Sequence, residues 1–349
     1  MDNCAPSTAG PPIASFTFTV SGDAAHDQAE KAYKQVWVLC HRMAPLTTTT
    51  IGSLFRFNSD LRLSIEAALE FQVSRGVDIV SDGEQRADMV AYFAESFGGL
   101  AVENGTPIVT GKVELKNSPE KFSKVQDLKY IRSKHPDIKI KLAITGPTTL
   151  GMTCGSRKIK SHYKNIMDFD LYKDIAIALQ PIAKALVDGG AYVQIDEPFL
   201  SQGYKDLAAR VGLIDHIADG LPPGKVSVHV CGFIGGFGVA NLLSELENVS
   251  TISFGFAGGI ERRNIEHVSR RLFEDTGKRL GAGCISVTSL AENQVDTPEA
   301  VAAKLKDIAG KVGRENIAYA HPDCGMRATN KSLVPIILRN MRAGVDLFD

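Results

Sequence analysis

A histidine and a cysteine stand two residues apart in KVSVHVCGFIGG (residues 225–236), and a second cysteine sits in HPDCG (321–325). Positions i and i+2 of a strand share a face, so His229 and Cys231 point the same way if this stretch is extended. Imidazole and thiolates suit zinc, whereas magnesium and calcium take oxygen. His–x–Cys by itself is a weak signal, because three residues coincide easily and a packed strand explains them as well. Cys324 changes the balance if the fold brings it to the same end. Three protein ligands leave a fourth position open, and zinc with an open position holds an incoming thiol as its reactive thiolate. The reaction implied is alkyl transfer to sulfur.

Such a set works only if separate elements converge. Short β-rich runs alternate with longer amphipathic stretches, the pattern of βα units around a parallel sheet. Eight strand candidates follow one another: 47–53, 77–83, 138–146, 191–196, 225–231, 250–256, 279–286 and 316–323. Between them lie helical patterns such as DLRLSIEAALEFQVSRG, LYKDIAIALQPIAKALVDGG, GVANLLSELE, IEHVSRRLFEDTG and TPEAVAAKLKDIAGKVG, several closed by glycine. The expected architecture is an α/β fold, a (β/α)8 TIM barrel over residues 46–349 that ends in the helix SLVPIILRNMRAGVDLF. Residues 1–45, with strand-like SFTFTV and a helical stretch to Met43, read as an N-terminal extension. Residues 100–135, carrying PIVTGKVELK, read as a β-hairpin excursion after the second strand.

The chain of 349 residues is 44% hydrophobic and 23% charged, with 39 basic and 40 acidic side chains and a net charge of −1. There is ample apolar material for a large core, and no global field to attract nucleic acid. No run approaches the roughly 18 apolar residues of a membrane span, and the opening residues lack a basic region followed by an apolar block. The expectation is a soluble, cytoplasmic protein. Six cysteines, at 4, 40, 154, 231, 284 and 324, are too scattered for a disulfide framework; Cys40 and Cys284 read as core.

In a barrel, chemistry collects where strands end and βα loops begin. Five of the eight candidate strands end that way, in SDGEQRADM, TGPTT, IDEP, HVCG and HPDCG. Taken with LTTTTIGS (46–53), VQIDEPFL and HPDCGMR, these motifs occur in the order and spacing of the catalytic barrel of cobalamin-independent methionine synthase, which residues 46–345 closely resemble. The resemblance implies homocysteine as substrate, with His229, Cys231 and Cys324 as zinc ligands. It further implies that Glu84 and Asp196 hold the homocysteine ammonium and that the backbone of Ile51, Gly52 and Ser53 receives its carboxylate. Two carboxylates across one barrel mouth would suit a cation, although helix capping and ion pairing are ordinary alternatives. Arg86 and Asp88 read as supports for Glu84, Asp323 as orienting the zinc shell or its turn, and His321 as a satisfied strand histidine. TGPTT reads equally as a pocket wall or as a helix start.

Two departures from the family pattern bear on mechanism. The longer synthases carry a fourth zinc ligand, a glutamate, where this chain has Gly255; either a water completes the shell until the thiol arrives or Glu261, a loop further on, reaches in. They also place a histidine, which protonates the leaving pterin nitrogen, where this chain has Thr288. Threonine cannot be that acid near neutral pH. At 349 residues the chain is expected to lack their second, folate-binding half. It resembles the short, archaeal-type branch, which implies a methylated corrinoid such as methylcobalamin as donor, delivered by a corrinoid protein. A zinc enzyme alkylating another thiol, coenzyme M for instance, and a lapsed barrel that stores zinc or binds a partner are the competing expectations.

Overall fold

The computed structural model describes residues 45–349 apart from 88, 157, 158, 160 and 161. The expected N-terminal extension and Cys40 lie outside the described residues. Nine strands follow in order: β1 (Thr47–Thr48), β2 (Phe97–Glu103), β3 (Thr106–Leu115), β4 (Lys141–Thr145), β5 (Tyr192–Asp196), β6 (Val226–His229), β7 (Thr251–Gly255), β8 (Arg279–Ile285) and β9 (Ile317–Pro322). Seven of them form one curled sheet in the order β1-β9-β8-β7-β6-β5-β4, parallel throughout. Two residues close the gap between β4 and β1: Ile79 bridges Thr49, and Val80 bridges Ile140, both parallel. The expected second strand, 77–83, therefore exists as this two-residue contact. It ends early because the Asp82 side chain accepts the N–H of Glu84 at 3.0 Å, and Gly83 and Glu84 turn left-handed with φ of 65° and 49°. The ring of eight matches the expected barrel.

The barrel strands are buried on both faces, as a parallel sheet wrapped in helices must be; every residue of KLAIT in β4 and of TISFG in β7 is buried. The outer ring runs α1 (Leu61–Val73), α2 (Ala91–Ser96), α3 (Ser123–Lys134), α4 (Pro147–Gly155), α5 (Phe169–Asp188), α6 (Leu207–Ala218), α7 (Val239–Ser244), α8 (Arg270–Glu274), α9 (Pro298–Val312) and α10 (Val334–Phe348). Asp60, Asp168 and Thr297 cap α1, α5 and α9 through their side chains. The stretch expected as one helix over 265–277 is a 3-10 segment, Glu261–His267, followed by the short α8. Extended Val268 and Ser269 part them, and Ser269 caps the second with its hydroxyl.

The excursion after the second strand is shorter than expected. Its hairpin is β2 and β3, antiparallel, with Glu103 opposite Thr106. Asn104 and Gly105 make the turn at φ of 50° and 74°. That is the pairing a right-twisted two-residue turn favours. The rest of 100–135 is helical: Val125, Leu128 and Ile131 recur at helical spacing and bury one face of α3. No helix among the described residues is long and apolar enough to cross a membrane.

Candidate metal centre and thiol site

His229 is the last residue of β6 and is fully buried, while Cys231 lies two residues on and Cys324 two beyond β9. His229 Nε2 stands 3.4 Å from Cys231 Sγ, which stands 3.2 Å from Cys324 Sγ. All three donor atoms lie within 4.8 Å of one another, and both cysteines are free and half-buried. The structure thus brings together the three residues the sequence singled out.

The histidine's tautomer follows from its partners. His321 Nδ1 donates to the Pro322 carbonyl at 2.7 Å, which leaves Nε2 as an acceptor. The Ser253 hydroxyl, 2.8 Å away, donates to it and so accepts from His229 Nδ1 at 2.9 Å. The lone pair of His229 Nε2 is therefore turned toward Cys231, as a metal donor needs. Burial holds His229 well below the usual imidazole range and pushes His321 down to about 3, so both rings are neutral near pH 7. His321 is satisfied, as expected, and also fixes the ring across the barrel. The hydrogen bond with Cys324 first, and burial second, hold the Cys231 thiol well above its usual range. Two cysteine sulfurs and a neutral imidazole side by side are a donor set that a zinc ion would join as thiolates and imidazole.

Register puts the acidic side of the site beside this cluster. Asp196 pairs with His229 across β5 and β6, and Thr145 pairs with Asp196 across β4 and β5. Parallel neighbours sit about 4.8 Å apart, so Asp196 and His229 share one layer. Burial first, and the charge of Glu84 second, raise Asp196 to about 7, which sets the two expected carboxylates in one electrostatic environment. Glu84 is itself raised by burial. The carbonyls of Ile51, Gly52 and Ser53 accept from Gln194 Nε2, Ser81 Oγ and Met326 N. Among the described residues no protein acceptor takes their N–H groups.

Sequence reasoning missed two buried lysines here. Lys124 Nζ lies 3.5 Å from Glu84 and 3.9 Å from Asp82. Burial works against its charge, yet the charges of Asp82, Glu84 and Asp196 outweigh it and hold Lys124 above the usual lysine range. Lys141, lowered to about 7 by burial, donates to Gln194 Oε1, and Gln194 Nε2 donates to Asp196 at 2.6 Å. Lys141 sits at the foot of a strand in KIKLAITG, and Lys124 in the stretch that reads from sequence as part of the hairpin excursion. Only closure turns them inward.

The surrounding shell resolves other expectations. TGPTT starts α4: Pro147 takes the first turn, and Glu197 accepts the N–H groups of Thr148 and Thr149, each at 2.8 Å, with the Thr149 hydroxyl at 2.6 Å. Arg86, two residues past Glu84, grips Asp127 of α3 with two bonds, of 2.9 and 2.6 Å. Asp88 lies outside the described residues. Arg327 also holds the Glu84 loop, donating to the carbonyls of Glu84 and Ala87. Asp323 accepts the N–H groups of Phe256, Ala257 and Gly258 at 2.6–3.0 Å, which ties the loop after β7 to the turn that presents Cys324. A cavity of about 310 Å³ lies at the opposite end of the barrel, between Lys141, Ser227, Arg279 and Tyr319. None of the three donors lines it.

Residues 47–346 match the family described as "Cobalamin-independent synthase, Catalytic domain". This chain belongs to that family. A methionine synthase of Methanothermobacter thermautotrophicus is 38% identical over 289 residues, covering 80% of this chain and 87% of the relative. One from Methanocaldococcus jannaschii is 33% identical over 300 residues, covering 83% and 90%. Among solved structures, a B12-independent methionine synthase from a Shewanella species superposes with a TM-score of 0.72 at 24% identity, covering 87% of this chain and 98% of that one. That likeness speaks for the fold: both are barrels of the same kind. The family's description weighs against the expected methylcorrinoid donor, and nothing in the comparisons supports the expected corrinoid-protein partner.

Proposed function

We propose that this member of the synthase family methylates the sulfur of homocysteine to give methionine. His229, Cys231 and Cys324 would hold a zinc ion, which when bound supplies a Lewis-acid centre that keeps the substrate sulfur as thiolate. Glu84 and Asp196 would receive the amino-acid ammonium, and the N–H groups of Ile51 to Ser53 its carboxylate. The observation that carries this reading is the pairing of Asp196 with His229 in one layer, beside a cluster of one imidazole and two thiols. A short amino-acid thiol could then reach both at once. The same carboxylates disfavour a sulfonate thiol such as coenzyme M, which calls for cationic partners.

The chain's own residues divide the work. Ser253 and His321 keep His229 in the donating tautomer. Gln194 orients Asp196, and Lys124 offsets part of the acidic charge around Glu84. On the donor, two observations pull apart. The family ordinarily takes methyl from methyltetrahydrofolate, whose leaving nitrogen needs a proton. The loop after β8 offers Ser286 and Thr288, hydroxyls 3.0 Å apart that bond to each other and are no acid near neutral pH. That loop chemistry favours a donor whose leaving group needs no proton, as a methylcorrinoid does not.

The deciding measurement is methionine formation from homocysteine with methyltetrahydrofolate, methylcobalamin or S-adenosylmethionine, before and after chelation and zinc repletion. Turnover with one donor that disappears on chelation and returns with zinc is the expected result. No turnover with any donor, or turnover indifferent to chelation, would overturn the assignment. Methyltetrahydrofolate as the working donor would overturn the corrinoid reading alone.

A further inference from the structure

Three donors leave a tetrahedral zinc site one short, and the strand position that could complete it, Gly255, carries no side chain. Gly255 is the last residue of β7, two beyond Ser253, which pairs with His229. It therefore stands level with Cys231, on the inward face. The space beside it is filled. A β-carbon built on Gly255 would lie 2.9 Å from Glu261 Cδ and 3.0 Å from Glu261 Oε2, closer than a real contact allows. The volume a strand-borne side chain would enter is held by the carboxylate of Glu261, six residues on.

That carboxylate is delivered by a pinned loop. Asp323 takes three consecutive N–H groups just after Gly255, at Phe256 to Gly258. On the other side of Glu261, buried Asn264 donates from Nδ2 to the carbonyls of Gly232 and Gly255, both at 2.9 Å, and accepts the Ile234 N–H at 3.0 Å. The loop is thus fastened to residues adjoining both cysteines. Glu261 Oε1 accepts the N–H of Gly232, the residue after Cys231, at 2.8 Å, while Oε2 faces Gly255.

We propose that Glu261 is the fourth, exchangeable protein ligand of this site, a carboxylate supplied from the loop after β7 in place of one on the strand. The inference rests on the zinc reading above. In this structure the carboxylate bonds to Gly232 rather than joining the His229–Cys231–Cys324 cluster. Gly232 N–H thus gives it a resting place off the metal, two residues beyond Val230 and next to Cys231. Oxygen is the hardest of the four donors for a borderline-soft ion, so it is the one an incoming thiolate displaces, and Gly232 N–H is ready to take it.

The test compares wild type, Glu261→Gln, Glu261→Ala and the double variant Glu261→Ala with Gly255→Glu. Zinc affinity is read by competition with a chromophoric chelator, and the ligand field from the visible spectrum of the cobalt(II)-loaded protein. Glutamine still accepts the Gly232 N–H, so Glu261→Gln is expected to keep the metal-free melting temperature while binding zinc at least about tenfold more weakly, with an altered cobalt spectrum. The double variant is expected to recover affinity by returning a carboxylate from the strand. Wild-type affinity and an unchanged cobalt spectrum in both single variants would overturn the proposal and leave Glu261 a loop fastener. A wild-type protein that takes up no stoichiometric zinc would instead overturn the metal reading itself.

Discussion

Asp196 illustrates how one buried group can serve both binding and pH response. Its carboxyl is held up at about 7 by burial and by the neighbouring Glu84, so the anion that attracts an ammonium forms only as pH rises through that value. The apparent KM for homocysteine should therefore fall between pH 6 and pH 8. Asp196→Asn should raise KM at least about tenfold at pH 8, equivalent to about 1.4 kcal/mol, and remove that part of the pH dependence. A second test concerns the hydroxyl between two imidazoles. Ser253→Ala removes the link that fixes His229, and zinc affinity should drop by about 10–100-fold, the usual effect of losing an orienting partner, as measured by chelator competition.

At the scale of elements, Glu197 joins two βα units. It follows β5 directly and holds the start of α4 through two backbone N–H groups and a hydroxyl, where a strand-to-helix turn would otherwise bury orphaned donors. Glu197→Ala should destabilise the fold by about 1–3 kcal/mol for each donor left unpaired, seen as a lower urea midpoint. Glu197 touches none of the three donors, so zinc stoichiometry should persist in the folded variant. The inward glycines of β8 act in the opposite sense, by leaving room. A β-carbon at Gly283 would meet Gly255 Cα at 2.7 Å and Asp323 Oδ1 at 2.8 Å, which is why Asp323 can reach across to the loop after β7.

For the whole molecule, the proposed zinc ties β6 to the turn after β9, elements almost a hundred residues apart in the chain. A ligand that binds only the folded state adds stability by mass action, about 4 kcal/mol at a thousandfold excess over its dissociation constant. Chelation should therefore lower the melting temperature by on the order of 10 °C, and zinc should restore it, as followed by calorimetry. Cys324→Ser should melt at the chelated temperature with or without added zinc.

The barrel was legible because strand and helix periodicities differ and alternate, and the eight expected runs coincide with the strands and bridges observed. His229 and Cys231 were legible because a local period of two puts them on one face, and the hairpin because the strand-like PIVTGKVELK interrupts the alternation of strand and helix. Closure of the ring decided the rest. It set Cys324 against Cys231, aligned Asp196 with His229, turned Lys124 and Lys141 inward, and brought Glu261 into the space that Gly255 leaves. A linear pattern records which face a side chain takes within its own element. Distances between elements depend on sheet register and loop paths, which are set by packing across the whole chain.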